Sequence, residues 1–367
     1  MKKNLLATSA LIAAGALFST AALAEAKPIQ LKVGGYYEQW VGLIFQDADT
    51  DTRRYADDLD VQEDGEIHFK GSTTTDNGLT FGVNVQLEAA TSGDQIDESY
   101  LFVRGSFGEI VLGSENGPAY AMHYGTDIDK GYGLEEGDTS FYWFSGGANN
   151  QLNTSRLATI DNDGQKIRWI SPRMEGFQIG LSYTPEGLQD VDGRVPNESQ
   201  NSDGVFEQII AGAVNYDQKF DDVRVRMSAA GQYVSDTNGG GNDSDEDVWA
   251  TALGLRIGSG GFEGTLAWGH HNNVGVNGAE SMDTITAGVA FTDGPIGVSL
   301  TGAYGKTDGG SGGVDATQIV VQLGVGYKVG PGVSINGTAA YVSSDEVLSD
   351  GGDYTGFGIV GGVKLSF

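Results

Sequence analysis

The chain of 367 residues contains no cysteine. No disulfide framework can hold it together, so stability has to come from the fold itself. Proline is scarce at 7 residues, whereas glycine reaches 58. Abundant glycine without proline excludes collagen-like and proline-rich disordered classes. Basic residues are few, 21 against 50 acidic, which gives a net charge of -29. That balance argues against nucleic acid and anionic membrane surfaces as partners. Beyond the first residues no apolar run is long enough for a transmembrane helix. Mean hydropathy is slightly negative, but this does not exclude a membrane β-barrel, whose lumen-facing half is polar.

The amino terminus reads as a leader. Met1-Lys2-Lys3 is a basic start, Leu5 to Phe18 an apolar stretch, and Ala22-Leu23-Ala24 a small-x-small cleavage site. This pattern predicts a secretory signal peptide over residues 1–24, too short to serve as a membrane anchor. The remaining part, 25–367, has 19 basic and 50 acidic residues, a charge of -31.

From residue 31 onward the chain alternates. Leu31, Val33, Tyr37, Val41, Leu43 and Phe45 fall on one strand face, and Lys32, Tyr36, Glu38, Trp40 and Gln46 on the other. The run is about twice the length of an ordinary strand, ample for the 9–11 or so residues that cross a bilayer at a tilt. Similar segments recur, joined by connections that are alternately short and long. Asp76-Asn77-Gly78, Gly105 to Gly108, Arg173 to Gly176, Asp221-Asp222, Gly258 to Gly261, Asp293 to Pro295 and Gly330-Pro331 are short. Asp47 to Asp60, Glu186 to Val205, Asp236 to Glu246, Asn272 to Ser281, Thr307 to Asp315 and Ser344 to Asp353 are long.

The pattern predicts sixteen strands, at 29–46, 62–75, 78–91, 95–106, 109–115, 165–172, 176–185, 206–218, 222–236, 246–258, 261–272, 281–292, 295–306, 315–329, 332–344 and 354–367. The fold class is all-β, a transmembrane antiparallel barrel with turns at one end and loops at the other. Sixteen strands leave an aqueous channel. Outward aromatics such as Tyr37, Phe69, Trp169, Tyr183, Trp249, Trp268, Tyr304 and Tyr341 suit interfacial girdles. A soluble β-sandwich would bury apolar faces against each other, and a calcium-binding β-helix would repeat a short Gly-Asp unit that is absent.

One connection stands apart. Residues 116–164 lack alternation and carry Tyr120, Tyr124, Tyr132, Phe141, Tyr142, Trp143 and Phe144. This is more aromatic surface than a solvated linker exposes, and connections of such length are usually functional. The same stretch holds Asp127, Asp129, Glu135, Glu136 and Asp138, with Lys130 the sole base among them. It is expected to pack on the barrel wall while facing water, as a constriction.

Several motifs together resemble a known family. Leu31 to Trp40 (LKVGGYYEQW) looks like the opening strand of general-diffusion porins of the alphaproteobacterial, Rhodobacter type. Gly105 to Gly113 (GSFGEIVLG) is similar to their turn before the constriction loop, and Ile170 to Gln178 (ISPRMEGFQ) with Tyr183-Thr184-Pro185 to the hairpin after it. The terminal Val363-Lys364-Leu365-Ser366-Phe367 resembles the assembly signal that ends in an aromatic.

The resemblance implies a homotrimer in the outer membrane of a Gram-negative bacterium, in contact with lipopolysaccharide, that passes ions and small hydrophilic solutes. It implies a third external loop folded into the lumen, whose acids face bases across the pore. The acids would be Asp127, Asp129, Glu135, Glu136 and Asp138. Alternation turns Lys70, Arg104, Arg168, Arg224, Arg226 and Arg256 inward as the basic wall, scattered over strands without a tight ladder in one segment. Tyr36, Glu38 and Trp40 add aromatic and acidic groups to the lumen. Mild cation preference follows as an expectation. A substrate-selective channel would show an aromatic track, for which Tyr36, Trp40 and Trp143 are candidates, or a dense arginine ladder. A barrel adhesin or enzyme would not conduct.

No catalytic constellation is found. His68, His123, His270 and His271 lack a Gly-x-Ser-x-Gly partner motif, so the chain reads as a non-enzyme. No cofactor is expected, and loop calcium is the one metal considered. Asp47, Asp49 and Asp51 begin with EF-hand spacing, but Thr52 and Asp58 occupy the places of the required glycine and glutamate. Asp243, Asp245 and Asp247 form a second acidic knot. Solvated loop charge is the plain reading; calcium or magnesium joining loops to one another or to lipopolysaccharide phosphates is the functional one.

Overall fold

In a computed structural model the described residues are 28–48, 58–89, 95–134, 143–144, 154–161, 163–187, 206–236, 248–272, 281–309, 315–345 and 353–367. The proposed leader lies outside them. Their strands are β1 (Gln30–Ala48), β2 (Asp58–Thr74), β3 (Thr80–Glu88), β4 (Ile96–Gly105), β5 (Gly108–Ser114), β6 (Gln165–Ile170), β7 (Phe177–Glu186), β8 (Glu207–Phe220), β9 (Val223–Asp236), β10 (Val248–Ser259), β11 (Phe262–Asn272), β12 (Ser281–Asp293), β13 (Ile296–Asp308), β14 (Ala316–Gly330), β15 (Val333–Asp345) and β16 (Tyr354–Ser366). One helical turn, α1 (Pro118–Ala121), sits between β5 and β6. Each strand pairs antiparallel with its neighbours in sequence, and β1 pairs with β16 to close the ring.

Alternation sets which face looks where. Along β14, Leu323 is 52% exposed while the adjacent Gln322 is 1% exposed. The apolar residues of one parity, such as Leu43, Ile319, Val321 and Ile359, form an exposed outer belt suited to hydrocarbon. The other parity points inward and carries Thr, Ser, Asn and Gln side chains that are mostly buried.

The second strand starts earlier than the sequence pattern placed it, at Asp58 rather than 62. Leu59 and Val61 continue the outer apolar row and pair with Leu43 and Val41, so the hairpin keeps its ladder into what reads as an acidic loop. At the other end of β2, the turn to β3 needs Gly78 at a φ of 82°, a left-handed position that side chains disfavour.

A second apolar cluster lies on the inner face. Trp40, Ile44, Val320, Ala340, Val342 and Tyr354 of the wall enclose Tyr132, Leu134, Trp143 and Phe144 from the β5–β6 connection. The carboxyl terminus finishes the ring: the Phe367 N–H donates to Gly35 O at 3.1 Å, and Gly35 N–H donates to Phe367 O at 3.0 Å. The Phe367 ring itself is exposed. Deleting Phe367 unpairs both Gly35 groups and removes the terminal aromatic. A sharp drop in folded, heat-modifiable protein in the membrane fraction is expected; an unchanged amount would show that neither feature drives insertion.

Candidate functional site

The site is built by the β5–β6 connection and the wall beneath it. At the root, Arg168 of β6 reaches Glu109 and Glu115, each at 3.1 Å, and donates to Asn116 O at 2.7 Å. Asn116 in turn donates to Glu98 of β4 at 2.7 Å. Lys166, fully buried at its side chain, lies 3.8 Å from Asp161. Burial pushes the Asp163 carboxyl above the usual carboxylate range, with Lys166 pulling the other way.

From α1 the segment steps around the ring strand by strand. Met122 O accepts from Asn215 of β8 at 3.1 Å, and Tyr124 N–H donates to Ser228 of β9 at 2.8 Å. Arg256 of β10 donates to Gly125 O at 2.7 Å. The Thr126 hydroxyl lies 3.1 Å from that of Thr265 on β11 and 2.8 Å from that of Thr286 on β12. Lys130 N–H donates to Ser299 of β13 at 2.9 Å, and Gln322 of β14 donates to Tyr132 O at 2.9 Å. On β15, Asn336 donates to Lys130 O at 2.7 Å, and Thr338 accepts from Tyr132 N–H at 2.6 Å. An irregular segment has no ladder of its own, so its backbone groups need such side-chain partners.

The far end is held by aromatics. Tyr132 meets Trp40 of β1 edge-on, with ring centroids 4.8 Å apart, and Trp143 at 6.2 Å. Gly42 of β1 has no room for a Cβ beneath the Trp143 ring, and Gly356 of β16 has none beneath Phe144. The chain then returns past Gly269 of β11 to β9 and β7, where Asp161 accepts from Gln232 and from Thr184, the latter at 3.3 Å.

The charges are arranged locally. Asp127 sits between two arginines, 2.8 Å from Arg156 and 3.4 Å from Arg256. Arg156 also stacks over Tyr120 at 4.4 Å. Asp129 is partly buried and accepts from Thr301 at 2.5 Å, Gln322 at 2.8 Å and Leu134 N–H at 3.3 Å. Loss of water pushes its carboxyl above the usual range, and these hydrogen bonds restrain the shift. The structure therefore places Asp127 and Asp129 in bonded positions against the wall. Glu135, Glu136 and Asp138 lie outside the described residues.

The basic residues are less scattered than alternation alone suggests. Arg226 and Arg256 are register partners on β9 and β10, and Arg224 is opposite Gly258 in the same ladder. Glu263 bridges the pair, 3.0 Å from Arg226 and 3.4 Å from Arg256, while Arg224 pairs with Asp217 at 2.5 Å. Sequence reasoning missed this clustering because register between two strands is fixed by their turn, which alternation within one strand does not reveal. Arg104 pairs with Glu109 and covers the Phe102 ring at 4.2 Å, and Lys70 is exposed on β2.

The opening-strand trio separates. Glu38 pairs with Lys364 at 2.7 Å and accepts from Trp40 at 3.0 Å; Tyr36 donates to Glu66 at 3.0 Å. Trp40 points inward but is completely buried, as is almost all of Trp143, so neither offers an aromatic track to a solute. Of the loop-metal candidates, Asp47 is exposed at the end of β1, and Asp49, Asp51, Asp243, Asp245 and Asp247 lie outside the described residues. Among the described residues, three carboxylates could share a cation: oxygens of Glu66, Glu88 and Asp97 lie within 4.8 Å of one another. The spacing of these three in the sequence gives no motif. They meet because Glu66 pairs with Glu88 and an irregularity in β3–β4 pairing falls beside Asp97.

A sequence profile of the Gram-negative porin family matches residues 7–346. The chain belongs to this family. Among solved structures, an anion-selective porin from Comamonas acidovorans superposes with a TM-score of 0.61 at 15% identity, covering 92% of this chain and 100% of that one. OmpT of Vibrio cholerae in its trimer form gives 0.60 at 15% identity, over 92% and 99%. The channel DcaP of Acinetobacter baumannii gives 0.59 at 12% identity, over 95% and 100%. At these identities the likeness is one of fold. An uncharacterised protein of Rickettsia typhi is 26% identical over 224 residues, 51% of this chain and 48% of that protein, so the chain spans about half the length of this curated relative. The family and the closed barrel place this porin in the outer membrane.

Trp143 carries the clearest test of how the porin holds its internal segment. Trp143→Ala empties a buried indole site, a change that costs about 3–5 kcal/mol of packing. Faster protease cleavage between residues 130 and 155 is expected, with the β-sheet circular dichroism of the barrel unchanged. Cleavage at the original rate would place the anchoring elsewhere.

Proposed function

We propose that this porin is a general-diffusion channel, trimeric in the outer membrane, whose β5–β6 connection narrows the lumen and sets the size of what passes. The observation that carries this reading is the strand-by-strand seating of residues 118–134 on inward-facing side chains from β8 to β15. Solutes then meet width and charge at a wet constriction, and no bond is made or broken. The trimer form of OmpT, a structural neighbour, supports assembly into threes. Lipopolysaccharide surrounds the outer belt, and calcium or magnesium held by acidic loops links them to its phosphates.

A mild cation preference accompanies the acidic surplus. Loop charge outside the lumen is screened within about 8–10 Å at physiological salt, whereas low-dielectric walls focus the field inside. Substrate selectivity is the weaker reading, since Arg224, Arg226 and Arg256 are each engaged by a carboxylate of the wall or the internal segment.

Planar-bilayer recording tests both parts. Removing residues 127–145 is expected to leave a folded barrel with larger single-channel conductance; equal conductance would mean that this segment does not narrow the path. In a salt gradient the unmodified channel is expected to favour potassium over chloride, less so as salt rises. Chloride preference at every salt concentration would contradict the acidic-surplus reading.

A further inference from the structure

Resting on the reading of this porin as a channel, we infer that its lumen is charged with opposite sign at its two ends and therefore rectifies, carrying more current when the loop side is positive than when it is negative. Cross-strand register is where the two ends differ. At the turn end, base lies opposite base. Lys32 of β1 is the register partner of Lys70 of β2, and Lys219 of β8 is the partner of Arg224 of β9. Lys328 of β14 and Lys364 of β16 are both opposite Ser334 of β15, one on each side. Toward the loops, acid lies opposite acid. Glu38 is the partner of Asp64 across β1–β2, Glu66 of Glu88 across β2–β3, and Glu186 of Glu207 across β7–β8. Like charges directly opposite each other destabilise a sheet. Among the described register partners, the sign of each such pair follows its position along the barrel axis.

The bases as a whole repeat this bias. Among the described residues, Lys166 and Lys306 are the strand bases of the loop-side half. Lys166 is buried beside Asp161, and Lys306 is on the outer face with Asp308 and Asp315. In the turn-side half the wall acids are outnumbered by the arginines they bind. Glu109 meets Arg104 and Arg168, and Glu263 meets Arg226 and Arg256, while Asp217 meets Arg224. Lys32, Lys70, Lys219 and Lys328 add to that surplus, exposed at the mouth. Asp76, Asp221, Asp222 and Asp293, exposed in the turns, reduce it without reversing it.

Ends of opposite sign concentrate opposite ions, cations among the acids and anions among the bases. With the loop side positive, cations enter past the acids and anions enter past the bases, so both fill the lumen. With the polarity reversed, each ion enters past charges of its own sign, and the lumen is depleted. The difference fades as salt shortens the range of the wall charges.

The test records the folded protein in planar bilayers with equal KCl on both sides. At ~0.1 M the current is expected to be about 1.3-fold larger with the loop side positive, and at ~1 M, where screening acts within about 3 Å, nearly equal in both directions. Orientation is read from Asn77→Cys on the β2–β3 turn, carrying biotin: the chamber from which streptavidin alters the current faces the turns. The chain has no native cysteine, so charge at the basic end can also be set chemically. Lys70→Cys labelled with a positively charged alkylthiosulfonate is expected to rectify like the unmodified channel, and a negatively charged label to bring the ratio toward unity. Linear or oppositely rectified currents at low salt, a ratio that persists at high salt, or equal ratios with the two labels overturn the assignment. Absence of conductance in the unmodified protein would overturn the channel reading itself.

Discussion

Hydrocarbon offers no hydrogen bonds, and that single constraint shapes the chain. Every backbone N–H and C=O at membrane depth must be paired within the protein, so the sheet has to close. Closure here depends on β1 finding β16, residues more than three hundred apart in sequence, through a register that runs from Tyr36–Ser366 to Ala48–Tyr354. No disulfide backs this seam. Its ladder and the apolar rows around it, such as Leu43 beside Ile359 and Phe45 beside Phe357, hold it.

The inner face solves the opposite problem. It is polar, yet it carries an irregular segment whose backbone also needs partners. The wall answers with short polar side chains at the right height: Ser228, Thr286, Ser299 and Thr338 on four different strands. Hydrophobic burial gathers where Trp40 and Tyr132 meet, with a smaller cluster where Ala119 and Ala158 lie against Ala250 and Ala252. The arrangement joins many modest hydrogen bonds, each worth about 0.5–1.5 kcal/mol net, to two apolar contacts of unequal size.

The sheet was largely legible because period-two alternation is a strong signal when one face is wholly apolar. Boundaries followed within a few residues. β2 was the exception, since Asp58, Asp60 and Glu63 mask the outward Leu59 and Val61. The site was less legible. Tyr132 and Trp143 could be picked out as aromatics in need of a surface, but their partner Trp40 read as a lumen residue available to solute. Thr286 and Ser299 look like any other inward polar residues until the segment is laid on them. The cross-strand neighbours Arg226–Arg256, Glu38–Asp64 and Glu66–Glu88 depend on register, which is a property of pairs of strands and leaves no trace in either one alone.

The glycines under the internal segment restrict how such a barrel can be reshaped. At Gly42, Gly254 and Gly324 even a methyl group would press into the Trp143 ring, the Tyr124 carbonyl or the Lys130–Gly131 backbone. That half of the lumen is in effect a mould, its surface and its filling each dictating the other. Recutting the wall at these positions therefore means recutting the segment that lies on it.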